Sequence, residues 1–504
     1  MTAASDPALP ASLPAAHVLI AQLQQKLQEA TWRVQQLEKQ LYGPKSDQGP
    51  APSRLSKEQI LLGLFPTVEP PATAAVVLPA APSQPQPKRP ARHPQIQVLE
   101  TVTERIEPAE KVCPHCGKTK CEIGCEKSER FEYVPAKVIR HQILRPKLAC
   151  PCGQGQVAIA PLPPTPIEKG QPGPGLLAHV LGSKFEDHLP LYRQQKQLER
   201  LGVYFPRQTL GDWVAKGAEW LQPIVRLMKA ELLAGDYLQV DETPVKVMDP
   251  DVPGRCATGY LWVAGRPGGD VIFEFHPGRG KEFAEKLLGH FQGYLQRDGY
   301  GVYGALAKER PALIPCGCLA HARRKFTDAL ESSPELARGL VEEIRKLYVI
   351  EAHARQEGMT PEQRHQLRQE LAPPIWQGLH QQLQTLGPQL LPQSPLGKAI
   401  RYTLAEWKAL QTYLVDGRLE IDNNLTENAI RPSAVGKRNW LFIGHPEAGW
   451  RSAVIYSLLI SCRRRGLDAW AYLKDVFTRL PAASTTELPD FLPARWKAPA
   501  ALVA

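Results

Sequence analysis

YLQVDETPVKV, residues 237–247, is the stretch on which the fold turns. Apolar and polar side chains alternate along it, as expected of a strand with one face buried, whereas the chain before it carries helical spacing. TGYLWVAG (258–265) and VIFEFH (271–276) repeat the alternation after short turns, so the three runs read as an antiparallel meander. KEFAEKLLGHF (281–291) returns to the helical period. YLQRD (294–298) then reads as a fourth strand, and ALIPCGC (312–318) as a fifth that leads into LAHARRKF.

Strand, strand, strand, helix, strand is the opening order of an RNase H-like fold, in which the fourth strand lies parallel beside the first. That topology brings Asp241 and Asp298 onto adjacent strands. Residues 322–416 are almost wholly helical in pattern, too long for a loop, and read as an α-helical insertion. The chain returns to the sheet with DNNLTENAIRP (422–432), expected as a short helix with Asn424 as N-cap and Pro432 as its stop. Glu427, three residues after Asn424, fits a capping box or an i,i+4 pair with Arg431. It also fits an inward-facing metal ligand, with Arg431, Lys437 and Arg438 placed to meet phosphates.

Upstream of the sheet, LLAHVLGSKF, PLYRQQKQLERLG and PRQTLGDWVAKGAEWL carry three helical patterns, with Gly202 between the second and the third. A helix, a Gly-containing turn and a helix opened by Arg207, Gln208 and Thr209 match helix-turn-helix spacing over 176–233, a pattern that plain bundles share. Cys113-Pro-His-Cys116 and Cys150-Pro-Cys152 present paired thiolates on tight turns, suited to tetrahedral Zn²⁺ in a ribbon-like module over 96–160. The second pair is one residue tighter than C-x-x-C, and Cys121 and Cys125 stand nearby as replacements. Residues 46–95 read as a Pro-rich linker, with nine prolines between 66 and 94. Before it, Ile20, Leu23, Leu27, Ala30, Val34, Leu37 and Leu41 form an a/d seam in a coiled-coil helix over 17–45. That seam reads as an oligomerisation aid, the alternative being a helix docked on its own chain. At the other end, two helical patterns fill 446–482, and a Pro/Ala-rich flexible tail is expected over 483–504.

The 504 residues carry 61 Lys and Arg against 51 Asp and Glu, a net charge of +10 that leans toward a polyanionic partner. No run of 18 apolar residues occurs, and residues 1–16 lack a charged start followed by an apolar stretch, so neither membrane insertion nor secretion is expected. Ten clustered cysteines in such a chain favour metal binding over disulfides.

Asp241, Asp298 and Glu427 are thus candidates for one site. In-line attack on a phosphodiester needs an activated nucleophile and a stabilised leaving oxygen. Two hard cations about 3.5–4 Å apart, held by carboxylates, supply both. Taken singly, each acid also reads as an ordinary turn or strand-end carboxylate; their joint placement favours a site. Cys316, Cys318 and His321 show ligand-like spacing, but with no fourth ligand near them in sequence a buried strand end is the better reading. Trp440 reads as core ahead of base stacking.

VDETPVKV, QRDGYGVY, CLAHARRKF, DNNLTENAIRP, KRNWLFIG and AVIYSLLISCRRRGLDAWAYLKDV together make the chain resemble the IS66-family insertion-sequence transposases. The resemblance spans nearly the whole chain, from the zipper ending in LYGPKSDQ through the zinc-finger segment to the C-terminal helices. It implies a multidomain α+β protein whose RNase H-like DDE/D catalytic domain covers 234–445. Asp241, Asp298 and Glu427 become the catalytic triad, with Mg²⁺ (or Mn²⁺) as the metal they hold. The implied activity is strand cleavage at terminal inverted repeats and transfer of the 3′ ends into a target. The implied setting is the bacterial cytoplasm, at the nucleoid when DNA-bound. Partners would be transposon-end and target DNA, further copies of the chain and accessory proteins of the same element, with no membrane. His321, Arg323 and Arg324 leave the fifth strand on the side where the triad opens, as candidates to contact the scissile phosphate or flanking DNA; helix capping and surface ion pairs are the alternatives. Two other functions compete: an RNase H-like nuclease without strand transfer, and a domesticated DNA-binding protein. An intact acid set argues against the second.

Overall fold

The structure is a computed structural model that describes residues 137–145, 147–148, 158–159, 164–168, 170–252 and 254–499. The coiled-coil segment, the Pro-rich linker and Cys113, Cys116, Cys150 and Cys152 lie outside the described residues. Within the Cys-rich module only a short antiparallel pair is seen, Lys147–Leu148 with Ala158–Ile159.

Three helices precede the sheet: α1 (Pro174–Phe185), α2 (Leu191–Arg200) and α3 (Arg207–Leu233). Gly202 takes φ +86° in the turn between α2 and α3, a conformation that a Cβ would strain. The third helix is far longer than its opening motif suggests and runs through Pro223, because Leu221, Ile224, Val225, Met228 and Leu232 bury its second half. Those residues share one hydrophobic core with the strands, so 176–233 is built onto the sheet rather than standing apart from it.

β1 (Tyr237–Val247) is the middle of five strands. β2 (Ala257–Gly265) pairs with it antiparallel, and β3 (Val271–His276) pairs antiparallel with β2. On the other side β4 (Gly293–Gln296) and β5 (Leu313–Cys316) run parallel, giving the order β3-β2-β1-β4-β5. Parallel neighbours need crossovers, and α4 (Lys281–Leu288) and α5 (Gly301–Glu309) supply them. Residues 237–240 are buried throughout, as expected where helices cover both faces.

The expected insertion is helical: α6 (Leu319–Asp328), α7 (Pro334–Gln356), α8 (Pro361–Leu386), α9 (Pro395–Ala405) and α10 (Trp407–Gln411). It has its own core around Ile344, Leu347, Ile375, Trp376 and Leu379. Beneath that core the Glu351 carboxylate, 1% exposed, is shared by Arg364 and the fully buried Arg368, at 2.5 and 2.7 Å. Arg368 also donates to the carbonyls of Tyr413, Asp416 and Leu419, tying the insertion to the segment that leads back to the sheet.

That segment enters α11 (Asn424–Trp440), where two local expectations fail. Asn423, not Asn424, occupies the N-cap, and Asn424 bonds back to Asp422 instead. Pro432 does not stop the helix, because Ala429, Ile430, Ser433 and Gly436 are buried along one face and packing outweighs the lost backbone bond. α12 (Gly449–Arg464) then covers the outer strand: Ser461 and Ser457 accept hydrogen bonds from the Val271 and Phe273 N–H groups at 3.0 and 2.8 Å, occupying donors that an edge would leave open. α13 (Ala469–Arg479) follows. The expected flexible tail is instead packed as far as it is described: Phe491, Leu492 and Trp496 are buried, and the Trp496 indole donates to Asp475 at 2.8 Å.

Candidate active site

β1 and β4 carry the same five-residue pattern, YLQVD (237–241) and YLQRD (294–298), and the sheet sets the two copies side by side. Tyr237 pairs with Tyr294, Leu238 with Leu295 and Gln239 with Gln296. Continued two residues further, this register puts Asp241 level with Asp298. Each aspartate is steadied by a nearby backbone N–H: Glu242 donates to Asp241 Oδ1 at 2.8 Å and Tyr300 to Asp298 Oδ1 at 2.9 Å.

The glutamines below the aspartates are fully buried and form a polar ladder. Gln239 Nε2 donates to Gln296 Oε1 at 2.7 Å and to the Asp422 carbonyl at 3.3 Å, while its Oε1 accepts from Thr426 at 3.0 Å. Gln296 Nε2 donates to the Glu420 carbonyl at 2.7 Å. Asn423 Nδ2 donates to the Val240 carbonyl at 2.8 Å. The first of these bonds ties β1 to β4 and the others fasten the entry to α11 onto them, so Glu427, one turn in, is brought to the ends of the strands that carry the two aspartates. Gln239, Gln296 and Asn423 escape a local reading of the sequence. The signal available for the glutamines is the repeated Y-L-Q-x-D, with a polar residue where a buried strand calls for an apolar one.

The acids act on one another. Burial first, then the charges of Glu242, Glu427 and Asp298, push the Asp241 carboxyl up to about 8. Glu242, the next residue along the strand, bonds to Arg279 and to the Tyr303 hydroxyl at 3.0 Å, and burial raises its carboxyl against the pull of Arg279. Arg279 in turn lies 3.8 Å over the Tyr300 ring. Glu427 forms no capping box with Asn424, because Asn423 occupies the N-cap and makes no side-chain cap hydrogen bond. His321 Nδ1 and Arg324 Nη2 each stand 3.6 Å from its oxygens, and Oε1 is buried without a hydrogen-bond partner. Asp241, Asp298 and Glu427 do not close on a single point: among the described residues, the set of three potential ligand atoms within 4.8 Å of one another is Cys318, His321 and Glu427. Two cations suit such an open carboxylate set better than one. A largely buried aspartate raised by neighbouring acids, as Asp241 is, is also the donor chemistry that a hard divalent cation satisfies.

The other candidates divide. His321 and Arg324 reach Glu427, whereas Arg323 lies 5.7 Å over the Tyr348 ring. Lys437 Nζ bonds to Thr243 and to the Pro244 carbonyl on β1, while Arg431 and Arg438 are exposed on α11. Arg207 and Gln208 are exposed at the start of α3, with Thr209 half-buried behind them. Among the described residues no hydrogen bond joins these three to the Asp241 group; Gln208 pairs with Asp212 at 3.2 Å. Trp440 packs partly buried against the core. No helix among the described residues is long and apolar enough to cross a membrane.

The profile described as "Transposase IS66 family" matches residues 169–451, and that described as "zinc-finger binding domain of transposase IS66" matches residues 110–153. The second match spans all four candidate zinc cysteines, which supports Zn²⁺ there. Three proteins of Sinorhizobium fredii (strain NBRC 101917 / NGR234) are similar along most of their length. The uncharacterized protein y4jD is 37% identical over 412 residues, covering 78% of this chain and 80% of that protein. The uncharacterized protein y4qI is 34% identical over 398 residues, covering 76% and 73%. The uncharacterized protein y4hP is 30% identical over 436 residues, covering 81% and 78%.

Proposed function

The chain belongs to the IS66 family of transposases, and from that premise we propose that it cuts DNA at the ends of a mobile element and joins the freed 3′ ends to target DNA. The observation that carries the proposal is the like-with-like pairing of β1 and β4, which sets Asp241 level with Asp298 while Glu427 is close enough to raise the Asp241 pKa. The strand order β3-β2-β1-β4-β5, with a helical insertion before α11, supports an RNase H-like core. Asp241, Asp298 and Glu427 would hold Mg²⁺ or Mn²⁺, which activates the attacking oxygen and stabilises the leaving one. The protein's own part is positional. The glutamine ladder keeps the three carboxylates in one place, and the exposed Arg324, Arg431 and Arg438 meet the DNA backbone around them. Arg207 and Gln208 present donors that suit base edges, the zinc module adds a second contact, and the 17–45 helix pairs copies so that two ends are cut together.

Asp241→Asn, Asp298→Asn and Glu427→Gln keep shape and remove charge. Each is expected to abolish Mg²⁺-dependent cleavage of end DNA while end binding in a gel-shift titration stays within a few-fold. Normal cleavage by E427Q would remove Glu427 from the set, and cleaved ends that never join a target would reduce the activity to a nuclease.

A further inference from the structure

The N-terminus of α6 and the first turn of α11 enclose a second set of ligand atoms. One atom each from Cys318, His321 and Glu427 lie within 4.8 Å of one another. His321 Nδ1 stands 3.6 Å from Glu427 Oε1, and both atoms are buried without a hydrogen-bond partner. Buried polar atoms are rarely left in this state unless something is meant to lie between them. The third member, Cys318, is the N-cap of α6, and its Sγ accepts a hydrogen bond from the Asn423 N–H at 3.3 Å. Burial pushes the Cys318 thiol well above its ordinary value, so its deprotonation calls for a cation beside it. A 3.6 Å separation suits neighbouring ligands on one tetrahedral ion with bonds of about 2.0–2.3 Å. Cys316, which shares the ligand-like spacing in the sequence, is not in the set.

We propose that Cys318, His321 and Glu427 form a site for a soft divalent cation, Zn²⁺ foremost, with water as the fourth ligand. Sulfur and imidazole select Zn²⁺ over Mg²⁺, so this site and the all-carboxylate position at Asp241 and Asp298 sort cations by type. Binding requires loss of the Cys318 thiol proton to solvent. Glu427 belongs to both sets. Zn²⁺ held here therefore draws Glu427 away from the aspartates and suppresses Mg²⁺-dependent cleavage. That consequence rests on the proposed catalytic role of Glu427, whereas the binding itself does not.

The test counts zinc on the full-length protein, titrated against a chromophoric chelator, for wild type, Cys318→Ser, His321→Ala and Cys316→Ser. The cysteine-rich module contributes equally to all four. Wild type and C316S are expected to hold one equivalent more than C318S and H321A. Equal counts in wild type, C318S and H321A would overturn the site, as would loss of the equivalent in C316S alone. Should C318S fail to fold by circular dichroism, H321A, altered at a partly exposed residue, decides by the same difference. Zinc counting is independent of DNA cleavage, so failure of this site and failure of the transposase chemistry are read separately.

Discussion

Lys437 Nζ donates to Thr243 Oγ1 at 3.1 Å and to the Pro244 carbonyl at 2.9 Å, pinning the helix of Glu427 to the strand of Asp241. A lysine spent in this way is not free for phosphate. Arg438, one residue on, is exposed. Lys437→Ala is therefore expected to slow cleavage about tenfold or more by misplacing Glu427, with the salt dependence of DNA binding unchanged. Arg438→Ala is expected to lower the slope of log K against log salt by about 1. Binding titrations at several salt concentrations, alongside cleavage rates, separate the two. A reduced slope in K437A would return Lys437 to the phosphate contacts.

Gln239 is the hub of the ladder, so Gln239→Ala strands the Thr426 hydroxyl and the Asp422 carbonyl in a buried place and takes one donor from Gln296, which keeps the Tyr237 hydroxyl. The expected loss is about 1–3 kcal/mol in urea unfolding. Cleavage should fall with it even where the protein stays folded, because the entry to α11 is no longer fastened. A variant that keeps both stability and rate would show that the ladder does not hold Glu427.

The Asp241 carboxyl is raised to about 8 from an ordinary 3.8, by burial first and by Glu242, Glu427 and Asp298 after it. Between those two values the folded chain binds more protons at this group than the unfolded chain does, so stability falls as pH rises. Without divalent cations, the thermal midpoint is expected to drop by on the order of a few degrees between pH 5 and pH 8. Asp241→Asn should flatten the drop, and added Mg²⁺ should reverse it in wild type only. A pH-independent midpoint in cation-free wild type would contradict the burial of this acid.

Glu351 compensates two arginines, one of them fully buried. Glu351→Ala leaves Arg368 charged and unpaired, an expected cost of about 3–5 kcal/mol in urea unfolding. Arg368 also holds the carbonyls of Tyr413, Asp416 and Leu419. The damage should therefore reach α11, and E351A should lose cleavage at temperatures where circular dichroism still reports a folded chain.

The sheet is legible in the sequence because alternation and turn residues are local signals, and the parallel placement of β4 follows from having a helix before it. Asp241 and Asp298 come with that topology. The fate of α11 does not, because Pro432 argues locally for a stop and the burial that overrules it comes from strands far away in sequence. Gln239 is invisible for the same reason: its partners Asp422 and Thr426 lie more than 180 residues along the chain. In 483–499 a Pro/Ala-rich composition conceals Phe491, Leu492 and Trp496, three large side chains that suffice to anchor the segment. Cys318 and His321 carry a visible spacing, but their third companion is supplied by a helix on the far side of the insertion.

The insertion also imposes an order in time. Both aspartates leave the ribosome with the sheet, whereas Glu427 follows Asp298 by 129 residues (427 minus 298). At synthesis rates of about 5–20 residues per second, the acid set stays incomplete for roughly 6–26 s after Asp298 has emerged. A nascent chain, or a fragment ending anywhere in the insertion, carries two carboxylates and lacks the third. The helices between α5 and α11 thus serve as a delay line, and the proposed site is completed by translation of α11 rather than by folding of the sheet.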